Sequence, residues 1–183
     1  EMCIRDSAST FDEDVDRAIA DLAAQVEAQM SSEPVDMLIL FLSAQYTNHA
    51  RAIGAGLRSA IQPAALLGCT AEGVIDRHHE IEGRPAIALL AARLPGVHIE
   101  PFVLQPTGSD WPPLLLDEEE FSRMVAAPEN TRLFLLLGDP FSTPMDDILK
   151  TFNTTHVSIP SVGGMASGAL RPSGNALLLN DGV

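Results

Sequence analysis

Met37-Leu38-Ile39-Leu40-Phe41-Leu42 is the stretch that decides the fold, because a continuous apolar run of this length predicts a buried strand. A predicted helix follows it from Thr47 to Ile61, where Pro63 ends the pattern, and Ala64 to Gly68 is a second short apolar strand. The connection between the two strands is long enough for a crossover. The order strand, helix, strand therefore predicts two parallel neighbours in an α/β fold.

The flanking segments add one helix before this unit and a pair of strands after it. Thr10-Phe11-Asp12-Glu13 matches a capping box, and apolar residues at steps of three and four predict an amphipathic helix from there to Met30. Pro85 to Leu94 and His98 to Leu104 read as strands, and Pro95-Gly96 between them is a turn signal. We therefore expect these two strands to form an antiparallel hairpin.

The C-terminal half continues the alternation of helices and strands. Its predicted segments are the helices Glu118 to Val125 and Pro144 to Phe152 and the strands Arg132 to Leu137, Val157 to Ile159 and Ala176 to Leu179. The whole predicts a layered α/β sandwich in which helices pack on a mixed sheet. Residues 1–9 fit none of these patterns, and we expect them to be a disordered or non-native flank of a single domain over residues 10–183.

Composition and charge exclude several classes of partner. The 183 residues include 25 acidic and 11 basic ones, for a net charge of −14, and such a surface repels nucleic acid and anionic membranes. The two cysteines, Cys3 and Cys69, form neither a disulfide framework nor a zinc-ligand spacing. No apolar run approaches the roughly 20 residues that span a bilayer. We therefore expect a cytoplasmic protein that needs no metal or other cofactor.

Three glycine-marked segments carry the candidate functional groups, because loops that leave strand ends hold binding groups rigidly in α/β proteins. The first, Gly68 to Gly73, presents the thiol of Cys69, the hydroxyl of Thr70 and the carboxylate of Glu72 within a few residues. Its glycines permit close backbone approach. The alternative is that Cys69 is packed as a small buried hydrophobe.

The other two segments follow later strands. Gly138 to Ser142 contains Asp139, which could cap the following turn or bind a donor group of a ligand. Pro160 to Gly168 contains the pair Gly163-Gly164 and the hydroxyl of Ser167. Paired glycines let backbone N–H groups converge on an anion or a polar head group, or they only allow two backbones to pack closely.

These motifs together resemble the N-terminal FIST domain, in the same order and with similar spacing. The resemblance rests on Gly68 to Gly73, Asp139 to Ser142 and Val162 to Gly168, and Asn175 to Val183 resembles that domain's final strand and turn. It implies an intracellular sensory domain for signal transduction that binds a small ligand such as an amino acid. It also implies a C-terminal FIST domain or a signalling output domain as partner, so that this chain would be a fragment.

The resemblance and the residues together predict a site for a small polar, amino-acid-like ligand where the Cys69 segment and the Gly163-Gly164 segment meet. Hydroxyl groups would orient its carboxylate, and an acidic residue would accept its ammonium group. The predicted ligand-binding residues are Cys69, Thr70, Glu72, Gly73, Asp139, Gly163, Gly164 and Ser167.

Two other functional classes are open at this point. One is a protein-interaction or substrate-adaptor domain, as in the F-box relatives of the FIST family. The other is a hydrolase or transferase that uses Cys69 as its nucleophile. A thiol needs a base or a positive neighbour to become a thiolate, and no Lys, Arg or His lies within seven positions of Cys69. We therefore expect a binding domain and no catalytic residue.

Overall fold

The computed structural model describes residues 4–30, 33–75, 79–106, 111–180 and 182. The strands are β1 (Ile4–Thr10), β2 (Met37–Ser43), β3 (Ala65–Ala71), β4 (Gly73–Ile75), β5 (Glu80–Glu82), β6 (Ile87–Arg93), β7 (Phe134–Gly138), β8 (Ser161–Met165) and β9 (Leu177–Leu179). The helices are α1 (Val15–Met30), α2 (Ala50–Ile61), α3 (Trp111–Leu116), α4 (Glu118–Val125) and α5 (Met145–Thr155), and a 3-10 helix spans Ala44–His49. The fold is mixed α/β, as predicted.

Two compact units divide the chain. Unit 1 contains Glu1–Ile99 and Ala166–Val183, and unit 2 contains Glu100–Met165. Unit 1 is built on a five-stranded sheet with the order β1-β6-β2-β3-β9, and β4 and β5 form a separate antiparallel pair. In the large sheet β2 and β3 are parallel, whereas the other neighbours are antiparallel. The predicted crossover from β2 through α2 to a parallel β3 is confirmed.

The core of unit 1 lies between one face of this sheet and the helices α1 and α2. Leu38, Leu40 and Leu42 of β2 are fully buried there, together with Leu22 of α1 and Ile53 of α2. Each such side chain contributes roughly 1.5–3 kcal/mol when it leaves water, so this layer is the main source of stability in unit 1.

A close backbone approach joins the two parallel strands at Gly68. Gly68 pairs with Leu40, and a Cβ at position 68 would lie 2.5 Å from the carbonyl oxygen of Leu40. Any larger residue would push β3 away from β2. The glycine is therefore a packing requirement of the sheet.

Unit 2 has its own aromatic core. The parallel pair β7–β8 and the helices α4 and α5 belong to this unit. The ring of Phe152 packs against the ring of Phe121, with the centroids 5.0 Å apart, and against the ring of Phe134, with the centroids 4.8 Å apart. The predicted helix over 118–125 is confirmed as α4. Asp117 caps it, because its carboxylate accepts the backbone N–H of Glu120 at 2.9 Å.

The first residues of the chain correct the prediction of a flank. Residues 4–10 form β1, which pairs with β6 along its whole length. Ala8 is buried in the core at 3% exposure, and the side-chain amide of Gln25 in α1 bonds to both backbone groups of Ser9. The sequence did not predict this strand because most of its residues are polar, and a strand at the edge of a sheet needs few apolar side chains.

The start of α1 is also corrected. The helix begins at Val15, and its cap is Asp14, whose carboxylate accepts the N–H of Arg17 at 3.1 Å. The capping box at residues 10–13 is wrong because Thr10 is still paired in β1. Phe11 is consequently 43% exposed and does not belong to the inner face of the helix.

Two further strand predictions are wrong. The hairpin partner expected at residues 98–104 forms no strand, and β6 pairs with β1 and β2 instead. The strand expected at residues 157–159 is absent, and the glycine-rich segment after it forms β8. Gly163 in β8 lies so close to the carbonyl group of Leu136 that no Cβ fits between them. Of the two roles given for this glycine, the contact fits the close packing of two backbones.

The assignment of β1 predicts destabilisation of very different size at two adjacent positions. Ala8→Lys should lower the free energy of unfolding by more than about 3 kcal/mol, because it buries an unpaired charge in the core. Ser9→Lys, on the neighbouring and half-buried position, should cost about 1 kcal/mol or less. Urea unfolding followed by circular dichroism measures both. Two neutral substitutions would show that residues 4–10 are a flank after all.

Candidate functional site

The candidate site of unit 1 lies where the parallel strands β2 and β3 end. The carboxyl ends of parallel strands meet at one edge of a sheet, which is where α/β proteins bind ligands. After β2 the chain enters the 3-10 helix at Ala44 and Gln45, and after β3 a single residue, Glu72, leads into β4. The predicted loop from Gly68 to Gly73 is therefore wrong as a loop, since its first four residues continue β3.

Cys69 is a buried residue of β3. Its exposure is 3%, and burial raises the pKa of its thiol from 9.0 to about 11. At neutral pH the group is a neutral thiol, whereas nucleophilic catalysis needs a thiolate. This environment fits the alternative given in the sequence analysis, in which Cys69 is packed as a small buried hydrophobic residue.

Thr70, predicted to orient a ligand, is fully buried and fastens β3 to the returning C-terminal segment. Its hydroxyl oxygen accepts the N–H of Ala176 at 3.0 Å and lies 3.5 Å from the amide oxygen of Asn175, which also accepts the N–H of Ala169 at 3.1 Å. The backbone N–H of Thr70 donates to the carbonyl group of Ala176 at 3.0 Å. Within unit 1 this hydroxyl therefore fixes the position of β3 and is not available to a ligand.

Ser167 holds the exit of β3 from the other side. Its N–H donates to the carbonyl group of Thr70 at 3.0 Å, and its hydroxyl oxygen accepts the N–H of Glu72 at 3.0 Å. Gly168 follows with a φ of +94°, and a Cβ there would lie 2.8 Å from the Cβ of Ala44. Hydrogen bonds thus bring Thr70, Glu72 and Ser167, three of the residues named from the sequence, together at the end of β3.

An open cavity of about 480 Å³ lies at this edge of the sheet. It is lined by Ala44, Gln45, Glu72, Glu82, Gly83 and Gly168. Gly73 contributes indirectly, since it pairs with Glu82 and a Cβ at position 73 would lie 3.0 Å from the Cγ of that side chain. The absence of a side chain at Gly73 lets Glu82 lie across it, so that two carboxylates line one cavity.

Gln45, Glu82 and Asn175 were missed by the sequence reasoning. Glu82 lies ten positions after Glu72, and only the pairing of β4 with β5 brings it to the cavity. Gln45 follows β2 at the expected edge, and the rule that strand ends carry sites would have found it. Asn175 has no local pattern that distinguishes it from a turn residue.

The remaining predicted residues belong to unit 2. Asp139 organises the turn after β7, where its carboxylate accepts the hydroxyl of Ser142 at 2.8 Å and its carbonyl group accepts the N–H of Thr143 at 2.8 Å. This is the capping alternative for Asp139. Gly163 and Gly164 lie in β8, and a Cβ at Gly164 would meet no atom within 4 Å. A ligand role for these three residues stays a prediction.

In the described part of the chain, no set of three His, Cys, Asp or Glu side chains is arranged so that it could hold a metal ion. Among the described residues, no helix has the length and apolar character that crossing a membrane requires.

A scan against family models matches the FIST N domain over residues 36–183, which is most of the chain and includes the whole candidate site. The chain belongs to the FIST N domain family. Domains of this family are generally sensory modules of signal transduction. The fold and the order of the three motifs agree with the resemblance inferred from the sequence.

Curated relatives match most of the chain. An uncharacterized protein of Mycobacterium tuberculosis is 32% identical over 168 residues, which are 92% of this chain and 42% of that protein. An uncharacterized protein of Mycobacterium bovis is 30% identical over 170 residues, 92% of this chain and 41% of that protein. The FIST chain thus spans less than half the length of these relatives.

The buried thiol gives this FIST domain a specific pH dependence. Because the pKa of Cys69 is raised in the folded state, the associated stability is complete below pH 9 and is lost as the pH rises towards 11. Two pKa units correspond to about 2–3 kcal/mol. In a Cys3→Ser background, Cys69→Ala should therefore flatten the decline in unfolding free energy between pH 9 and 11.

The same samples allow an independent check with a thiol reagent. Native Cys69 at pH 7.5 should react with Ellman's reagent far more slowly than the urea-unfolded chain does. Equal rates, together with an unchanged pH profile in Cys69→Ala, would mean that the thiol is accessible and that burial does not raise its pKa.

Proposed function

We propose that this FIST domain is a sensory domain for intracellular signal transduction, and that it binds a small amine-bearing, amino-acid-like molecule at the edge of the sheet formed by β2 and β3. One observation carries the proposal, namely the cavity of about 480 Å³ that Glu72 and Glu82 line together. This volume lies in the range of ordinary small-molecule sites, roughly 300–1,000 Å³.

The charges at the cavity favour a cation. Among the described residues that line it there is neither Lys nor Arg, so the described lining carries two carboxylates and no basic side chain. Such a pair attracts an ammonium group and repels a lone carboxylate. The side-chain amide of Gln45 supplies a neutral donor, which suits the carboxylate of an amino acid whose ammonium group lies between Glu72 and Glu82.

The surroundings make this cavity rigid. Ser167 fixes the backbone of Glu72, and Thr70 fixes the strand beneath it. Gly73 leaves room for the side chain of Glu82. A preformed arrangement lowers the ordering cost of binding, which supports a role as a ligand sensor. The buried neutral thiol of Cys69 supports binding without chemistry at this position.

The proposal predicts that an amino acid stabilises the chain and that its N-acetyl form does not. The twenty amino acids, each at millimolar concentration, are tested by thermal unfolding, and every active compound is compared with its N-acetyl derivative. At 100 times its Kd a ligand adds about 2.7 kcal/mol to the free energy of unfolding. N-acetylation removes the positive charge and should abolish this gain.

Matched variants locate the binding. Glu72→Gln and Glu82→Gln should each remove most of the stabilisation by an active amino acid. Glu80→Gln makes the same change in charge on the same short strand, at an exposed position outside the cavity lining, and should leave it intact. If the N-acetyl forms stabilise equally well, or if all three variants behave alike, the cavity is not the amine site.

A further inference from the structure

The large sheet of unit 1 has a second face that consists of apolar side chains. The strand register arranges these side chains in two rows that run across the sheet. One row is Leu90, Ile39, Leu67 and Leu179, and the other is Ala88, Phe41, Cys69 and Leu177. We call this set of residues the open face. It forms two adjacent rows across the four strands β6, β2, β3 and β9.

The two faces of β2 differ sharply in burial. Leu38, Leu40 and Leu42 point towards α1 and α2 and are fully buried. On the open face, Phe41 is 38% exposed and Ile39 is half-buried. Among the described residues, neither of these two side chains belongs to a hydrophobic cluster.

This exposure conflicts with the sequence of the strands. β2 is apolar at six successive positions, and β6 and β9 are also apolar on both faces. Strands of this kind are typical of sheets that are covered on both sides, whereas a sheet with one solvated face alternates apolar and polar residues. A contiguous exposed apolar patch on a soluble domain commonly marks an interface.

The length of the relatives and the charge of the chain indicate what covers this face. The relatives match over 92% of this chain, yet the match is only 42% of the Mycobacterium tuberculosis protein, so more than half of that polypeptide lies outside it. A second copy of this chain is a poor occupant, because two copies would bring net charges of −14 together.

We propose that the open face is the docking surface for a further domain of the longer FIST polypeptides, which covers it with an apolar layer of its own. The open face carries no charged side chain, so the docked surface is also uncharged. Cys69 lies between Phe41 and Leu177 in the register and is already buried within this chain, so the larger side chains around it form the surface available for docking.

The test compares the labelling of one engineered cysteine in the 183-residue chain and in the full-length Mycobacterium tuberculosis relative. The chain carries Phe41→Cys in a Cys3→Ser, Cys69→Ala background, and the relative carries a cysteine at the matched position with its own cysteines replaced. Maleimide should label the relative about ten-fold or more slowly, because access there requires opening of the interface. Circular dichroism checks that each variant is folded, and Leu67→Cys is the second probe.

A matched control lies on the opposite side of the sheet. Ser59 is exposed on α2, and Ser59→Cys should be labelled at similar rates in both proteins. Equal rates for Phe41→Cys in the two proteins would overturn the proposal, since the face would then be open in the longer protein. Slow labelling already in the short chain, with a dimer in sedimentation velocity, would overturn it in favour of a second copy.

Discussion

The parallel pairing of β2 with β3 is the constraint on which the rest of unit 1 depends. It requires a glycine at position 68, where the strand backbones and the carbonyl group of Leu40 leave no space for a Cβ. The pairing places the residue after β3 beside the residues after β2. Glu72 and Gln45 therefore reach the same cavity, although they lie 27 positions apart in the chain. A one-residue shift in register would exchange the buried and open faces and dismantle the site.

The returning segment closes this arrangement from the C-terminal side. Ser167, Asn175 and Ala176 bond to Thr70 or Glu72, which lie 95–106 positions earlier in the chain. Such contacts cost chain entropy when they form, and their hydrogen bonds offset this cost. Gly168 can approach Ala44 closely because its positive φ is accessible to glycine. The motif from Gly163 to Gly168 thus contains the end of strand β8 of unit 2 and, from Ala166 onwards, a segment of unit 1 that bonds to the end of β3.

Local patterns predicted the elements that local physics decides. The apolar run of β2, the crossover through α2 and the helix over residues 118–125 were all predicted from the sequence, because local propensity and burial agree there. Strand pairing was not readable in the same way. β1 has no apolar alternation and is held by its pairing with β6, and the partner of β6 is set by the order of the whole sheet.

The candidate site was predictable to the same extent. Glu72, Thr70 and Ser167 were found because they follow or end strands, whereas Glu82 depends on a hairpin and Asn175 on a long-range hydrogen bond. The sequence assigned Thr70 and Ser167 to the ligand because it shows which groups are present and does not show which are already bonded. In the structure both hydroxyls bond to backbone within unit 1.

The central claim is that an amine binds between Glu72 and Glu82 at the end of the parallel strands. A two-dimensional ¹H–¹⁵N NMR titration with the amino acid that stabilises the chain most tests it directly. We expect the largest chemical-shift changes at the backbone amides of Gln45, Glu72, Glu82 and Gly168, and we expect the titration to fit one binding site per chain. Shift changes confined to other parts of the chain, or none at saturating concentration, would contradict it.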